Sequence, residues 1–129
     1  MIKIGYLMSD KSFATSLSCM DGRVQIPMND WIKKKYVVDF VDTITAPGID
    51  KVIFDGNITS IKNSVMISVL NHKSSHIVVS GHFGCAGNPV SNEEHYSHIK
   101  KSVEIIDSWN LNVNVVGVWI DENFTPHLI

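Results

Sequence analysis

Basic charge is scarce in this chain. Eleven Lys and Arg stand against thirteen Asp and Glu, a net charge of −2, which argues against nucleic acid or an anionic membrane as a partner. Long apolar runs are also missing, and no apolar segment near the N-terminus precedes a small-residue cleavage site. Neither a membrane span nor a signal peptide is therefore expected, and the expected location is cytoplasmic. Four prolines and eight glycines in 129 residues exclude collagen-like and low-complexity chains. Two cysteines, Cys19 and Cys85, are too few for a disulfide scaffold. In a cytosolic chain, two free or metal-bound thiols are a better reading than one bridge closing a long loop. What is present, 44% apolar and 19% charged residues, suits one compact domain over 1–129 with a sizeable core.

Periodicity divides the chain into alternating strands and helices. Phe13 to Cys19 (FATSLSC) reads as a first strand, with the following MDGR as strand end and turn. Pro27 to Tyr36 reads as a short helix capped by Asn29, with Trp31 and Ile32 inward and Lys33, Lys34 and Lys35 in solvent. Tyr36 to Thr45 is rich in β-forming residues and stops at Ala46-Pro47-Gly48. A strand ends there, but its start is open because Val37, Phe40, Val41 and Ile44 also fit a helical stripe. Ser60 to Leu70 has helical spacing at Ile61, Val65, Met66, Val69 and Leu70, with Thr59 or Ser60 as N-cap. Ile77 to Ser80 (IVVS), running into Gly81, has the near-continuous apolar character of a central parallel strand. Ser91-x-x-Glu94 has the spacing of a capping box, and His95, Ile99, Val103 and Ile106 continue one helical face toward Trp109 and Asn110. Val113 to Ile120 is the next strand, and Phe124 to Ile129 is placed to add an edge strand or pack on a partner. This alternation predicts an α/β fold: a mostly parallel central sheet flanked by helices, built with right-handed crossovers.

Two polar segments follow predicted strands: Cys19-Met20-Asp21-Gly22-Arg23 and Gly81-His82-Phe83-Gly84-Cys85-Ala86-Gly87. Open α/β sheets place ligands beyond the carboxyl ends of their strands, so the segments meet if the strands are neighbours. Cys19, His82 and Cys85 then make a Cys2His set suited to zinc with a fourth position open. Two other readings stand beside it: buried structural cysteines with a capping histidine, and a redox pair. The redox reading is weakened because the thiols are not spaced as Cys-x-x-Cys. Asp21 is placed either as a fourth ligand or beside the metal. Arg23 is a bidentate partner that would draw Asp21 off the ion and keep it ionised, alternating a closed with an open site. A plain turn carrying a surface ion pair is the alternative for Asp21-Gly22-Arg23. The glycines at 81, 84 and 87 match neither the Walker A nor the dinucleotide spacing, which sets nucleotides aside. The remaining histidines, at 72, 76, 95, 98 and 127, show no ligand-like arrangement. They read as surface or core residues, with His95 or His98 the candidates for a proton shuttle or site lining. Trp109 and Trp119 read as core or interface.

Taken together, the two segments resemble the β-class carbonic anhydrases, whose pattern is Cys-x-Asp-x-Arg followed later by His-x-x-Cys. The order of elements agrees from about Phe13 to Ile120, and Thr43 to Gly48 (TITAPG) stands where that family has a strand leading into an Arg-Asn-Ala-Gly-like loop. Here the loop lacks the Arg-Asn pair, and Gly22 stands where serine or alanine is usual. The resemblance implies Zn2+ on Cys19, His82 and Cys85, with Asp21 and Arg23 as the gating and orienting pair. It also implies reversible hydration of carbon dioxide to bicarbonate by a zinc-bound hydroxide, and a homodimer or higher homo-oligomer with sites at the dimer interface. Two alternatives share the same residues. One is a zinc hydrolase for another small linear substrate, such as carbonyl sulfide or carbon disulfide. The other is a noncatalytic, zinc-stabilised interaction protein in which Asp21 stays ligated.

Overall fold

The computed structural model describes residues 11–129. The expectation about an N-terminal leader, and the first ten residues of the expected domain, lie outside that range. Five strands form one sheet: β1 (Phe13–Cys19), β2 (Phe40–Ala46), β3 (His76–His82), β4 (Asn114–Ile120) and β5 (Pro126–Leu128). Their order is β2-β1-β3-β4-β5; the first four run parallel, and β5 pairs antiparallel with β4. Among the described residues four helices accompany the sheet: α1 (Gly22–Tyr36), α2 (Ile49–Phe54), α3 (Thr59–His72) and α4 (Asn92–Asp107). This is the expected α/β architecture, and the tail supplies the edge strand. Among the described residues no helix is long and apolar enough to cross a membrane.

Side chains alternate across a strand, so each central strand feeds two cores. On one face Leu17, Ile77 and Val79 pack against Ile49 and Ile53 of α2, Ile61, Val65 and Val69 of α3, and Ile106 of α4. On the other, Ala14, Val78, Val118 and Ile120 pack against Val24, Met28 and Ile32 of α1. Burying each large aliphatic side chain contributes roughly 1.5–3 kcal/mol. Lying between two covered faces explains the near-continuous apolar run of β3. The register pairs Leu17 with both Ile44 and Val79, so β1 and β3 are neighbours and their carboxyl ends open on the same edge.

The structure corrects several boundaries. Helix α1 starts at Gly22, not Pro27, because Asp21 rather than Asn29 caps it: the Asp21 carboxylate accepts the backbone N–H of Arg23 at 2.9 Å. The segment read as a turn is thus a helix start. Pro27 sits inside the helix, where it removes the bond to the Arg23 carbonyl and its ring crowds that same carbonyl. The three lysines end the helix in solvent, at its negative pole. Strand β2 starts at Phe40, since Val37 leaves α1 in the left-handed region at φ 53°. Short helix α2 was not expected: it starts directly after Pro47-Gly48, with Gly48 at φ 54° as its N-cap. Helix α3 begins at Thr59 itself, after Ile58, with no side-chain cap. Helix α4 has the expected Ser91 cap, which accepts the Glu94 N–H at 3.2 Å, but ends at Asp107 rather than near Asn110. Asn110 and Asn112 both take positive φ and prevent the helix from continuing.

Candidate metal centre

Cys19 is the last residue of β1 and His82 the last of β3, and Cys85 follows three residues later. Their ligand atoms lie within 4.8 Å of one another, and all three residues are buried. The sulfurs are 3.9 Å apart. A tetrahedral ion with metal–sulfur bonds of about 2.3 Å holds two sulfurs about 3.8 Å apart, so the spacing fits without rearrangement. The imidazole supplies a sharper test. His82 Nδ1 lies 2.9 Å from the Phe83 carbonyl. A carbonyl oxygen only accepts, so Nδ1 carries the proton and Nε2 carries the free lone pair. That Nε2 is buried with no hydrogen-bond partner, an arrangement that costs free energy unless something electrophilic fills it. Two sulfurs and an unpartnered imidazole lone pair form a donor set fit for zinc.

Backbone amides support both sulfurs. The N–H of Gly48 donates to Cys19 Sγ at 3.4 Å, and those of Gly87 and Asn88 face Cys85 Sγ and favour its thiolate. Burial, with the neighbouring Cys19 sulfur second, pushes the Cys85 thiol up to about 11. Cys85 therefore holds its proton until a cation displaces it. The loops after β2 and β3 touch at their backbones: a Cβ on Gly48 would lie 2.6 Å from the Gly87 carbonyl carbon. With its φ of 54° as well, Gly48 is a position that excludes any side chain.

Asp21 stands outside the trio. Its two oxygens meet Arg23 in a fork, Oδ1 to Nε at 3.0 Å and Oδ2 to Nη2 at 2.7 Å. The guanidinium, then the Arg23 backbone N–H, hold the carboxyl well below the usual carboxylate range. Of the two arrangements open to Asp21, the structure has the one paired with Arg23. Arg23 also reaches the Gly84 carbonyl at 3.4 Å and lies over the Phe124 ring at 5.7 Å, so it links both loops to the tail. Met20, Phe83 and Phe124 remain exposed.

The other histidines differ from expectation in their partners. Three of the five pair with aspartates at 2.7 Å: His72 with Asp42, His95 with Asp50 and His127 with Asp121. Only His95 and Asp50 are both buried, so His95 is a satisfied core residue. Trp119 is buried too, and Trp109 packs at the edge of the larger core. Asp50 and Asn88 escaped the sequence reading. An acid set among Ile49, Val52 and Ile53 was the available signal, since a carboxylate in an apolar run needs a buried partner.

This geometry belongs to a recognisable class. The family described as "Putative carbonic anhydrase" matches residues 9–129. The chain belongs to that family. No curated protein sequence matches the chain. Among solved structures, the isoform I β-carbonic anhydrase of Trichomonas vaginalis superposes with a TM-score of 0.67 at 16% identity, covering 99% of this chain and 93% of that one. The β-carbonic anhydrase CafA of Aspergillus fumigatus gives a TM-score of 0.51 at 14% identity, covering 98% of this chain and 79% of that one. The β-carbonic anhydrases of Sordaria macrospora, described as tetrameric, give 0.51 at 12%, covering 98% and 85%. At these identities the likeness establishes the β-carbonic-anhydrase fold.

Proposed function

We propose that the chain is a zinc-dependent enzyme that reversibly hydrates carbon dioxide to bicarbonate, with the metal on Cys19, His82 and Cys85. The observation that carries this reading is the buried, unpartnered Nε2 of His82 facing two sulfurs while Arg23 keeps the nearby Asp21 carboxylate occupied. A bound zinc ion supplies Lewis acidity that makes water a nucleophile near neutral pH. The chain's own groups do the rest. Phe83 O fixes the His82 tautomer, and the amides at 48, 87 and 88 stabilise the negative charge left on the sulfurs. The Arg23 fork keeps Asp21 ionised and oriented as a hydrogen-bond acceptor beside the site. Met20 and Phe83 are exposed next to Cys19 and His82, and Phe124 is exposed against Arg23, apolar surface suited to a small uncharged substrate.

The same exposed apolar residues support a homodimer or higher homo-oligomer, because apolar surface beside a polar centre is surface that association covers. Sedimentation of the full chain tests this, and a monomer at micromolar concentration refutes it. The reading also takes the chain as a single domain acting in the cytoplasm. The test of the activity itself is the carbon dioxide hydration rate of zinc-loaded protein, followed with a pH indicator near pH 7 and pH 8.5. A rate well above buffer that rises with pH supports the proposal. No rate at either pH, with one zinc confirmed per chain, overturns it.

A further inference from the structure

Beneath the three donors lies a second buried polar group that the proposed function does not use. Asp50, Asn88, His95 and His98 are each at most 7% exposed. Asp50 Oδ2 accepts from His95 Nδ1 at 2.7 Å and from Asn88 Nδ2 at 3.2 Å. The same Asn88 amide lies 3.0 Å from His98 Nδ1. An amide nitrogen has two protons, so Asp50 and His98 engage both and fix the rotation of the side chain. The Ser102 hydroxyl shares its proton between the His98 carbonyl at 2.7 Å and the Asp50 carbonyl at 3.0 Å and so ties the two together. Gly81, next to His82, makes room for the carboxylate, since a Cβ there would lie 2.8 Å from Asp50 Oδ2.

The loop that carries Cys85 is otherwise held through its backbone: the Phe83 N–H donates to the Ile120 carbonyl at 2.9 Å, the Gly84 carbonyl meets Arg23 at 3.4 Å, and Gly87 lies against Gly48. Phe83, Gly84, Ala86 and Gly87 are exposed, whereas Cys85 and Asn88 are buried. Asn88, three residues after Cys85, is therefore the loop's buried side-chain anchor: Asp50 and His98 lock its amide, and its backbone N–H faces the Cys85 sulfur closely enough to favour the thiolate. We infer that Asp50 and Asn88 are positioning residues for the metal centre: Asp50 holds the Asn88 amide, and Asn88 in turn aims its N–H at the Cys85 sulfur. The inference rests on the metal reading above and adds to it residues that do not touch the ion. Groups that orient a ligand in this way commonly change metal affinity by about 10–100-fold when removed.

The test uses Asn88→Ala and the isosteric Asp50→Asn in the full chain, loaded with Co2+. Asn88→Ala should release cobalt to a chelator about 10–100-fold faster than the parent and shift the thiolate-to-cobalt charge-transfer band. Asp50→Asn keeps one oxygen as acceptor and should show the same changes at smaller amplitude. A folded Asn88→Ala whose release stays within about twofold of the parent, with an unmoved band, overturns the inference. If Asn88→Ala does not fold, Asp50→Asn decides by the same criterion. A metal-independent arm follows amide hydrogen exchange in the metal-free protein. Exchange at Gly87 and Asn88 should accelerate by about tenfold in the variants while the β3 amides hold; unchanged exchange overturns the inference. A parent that takes up no cobalt sinks the metal reading instead, and the exchange arm still decides the positioning role.

Discussion

The two ends of the parallel strands use polar side chains in opposite ways. At the amino ends, Thr15 Oγ1 lies 2.6 Å from Ser68 Oγ and 2.7 Å from Ser74 Oγ and shares its one proton between them, and Ser68 donates to Asp42 at 2.7 Å. Asp42 in turn meets His72 at 2.7 Å, and Ser74 donates to the His76 carbonyl at 3.0 Å. Every hydroxyl in that group has a partner, so it closes on itself and tethers α3 to β1 and β2. At the carboxyl ends the amides and Phe83 O orient the donors, but the strongest lone pair, on His82 Nε2, is left free. A network with all its capacity used contributes stability. One with capacity held in reserve at a rigid site is built to bind.

Perturbing each end separately tests that contrast. The largest effect is expected from Cys85→Ala, which should reduce metal per chain from one to background by elemental analysis and abolish hydration activity. Persistence of stoichiometric metal would show that the donor set is wrong. Asp21→Asn comes next. Asparagine still caps α1, so the fold should hold, while loss of the charged fork should lower kcat/KM for carbon dioxide by about 10–100-fold. The third effect is pH dependence. Because the Cys85 thiol is raised to about 11 in the metal-free protein, metal uptake must expel its proton. Apparent affinity should therefore climb by about tenfold per pH unit for that proton at all pH values below this, and fall as pH drops. Competition titrations at two pH values read the slope. The smallest change is Thr15→Val at the closed end. Leaving Ser68 and Ser74 short of a partner should cost about 1–3 kcal/mol in urea unfolding, with metal affinity unaltered.

Legibility in the sequence followed the range of the interactions involved. The β3 run, the Ser91 cap and the stripe of α4 were readable because local spacing encodes burial and capping. The convergence of Cys19, His82 and Cys85 was readable because each sits at or just after a strand end, and parallel sheets gather such ends on one edge. The start of α1 was misplaced because Asp21 was weighed as a ligand or a turn residue, and its capping of the Arg23 N–H lay outside both readings. Helix α2 was missed because six residues are too few to show a helical period. Asp50 and Asn88 were invisible for a different reason. They are 38 residues apart, and only the packing of α2 and α4 against β3 brings them together.

The crossing of the loops after β2 and β3 at Gly48 and Gly87 makes the centre indivisible. The amide of Gly48 serves one sulfur, that of Gly87 serves the other, and the two backbones touch with no room for a methyl group between them. Anyone transplanting this centre into another scaffold by copying only the two ligand-bearing loops would leave behind the third loop that sets their spacing. By the same token, any side chain placed at Gly48 would push the two loops apart and disturb the setting of both sulfurs, although that residue offers no ligand atom of its own.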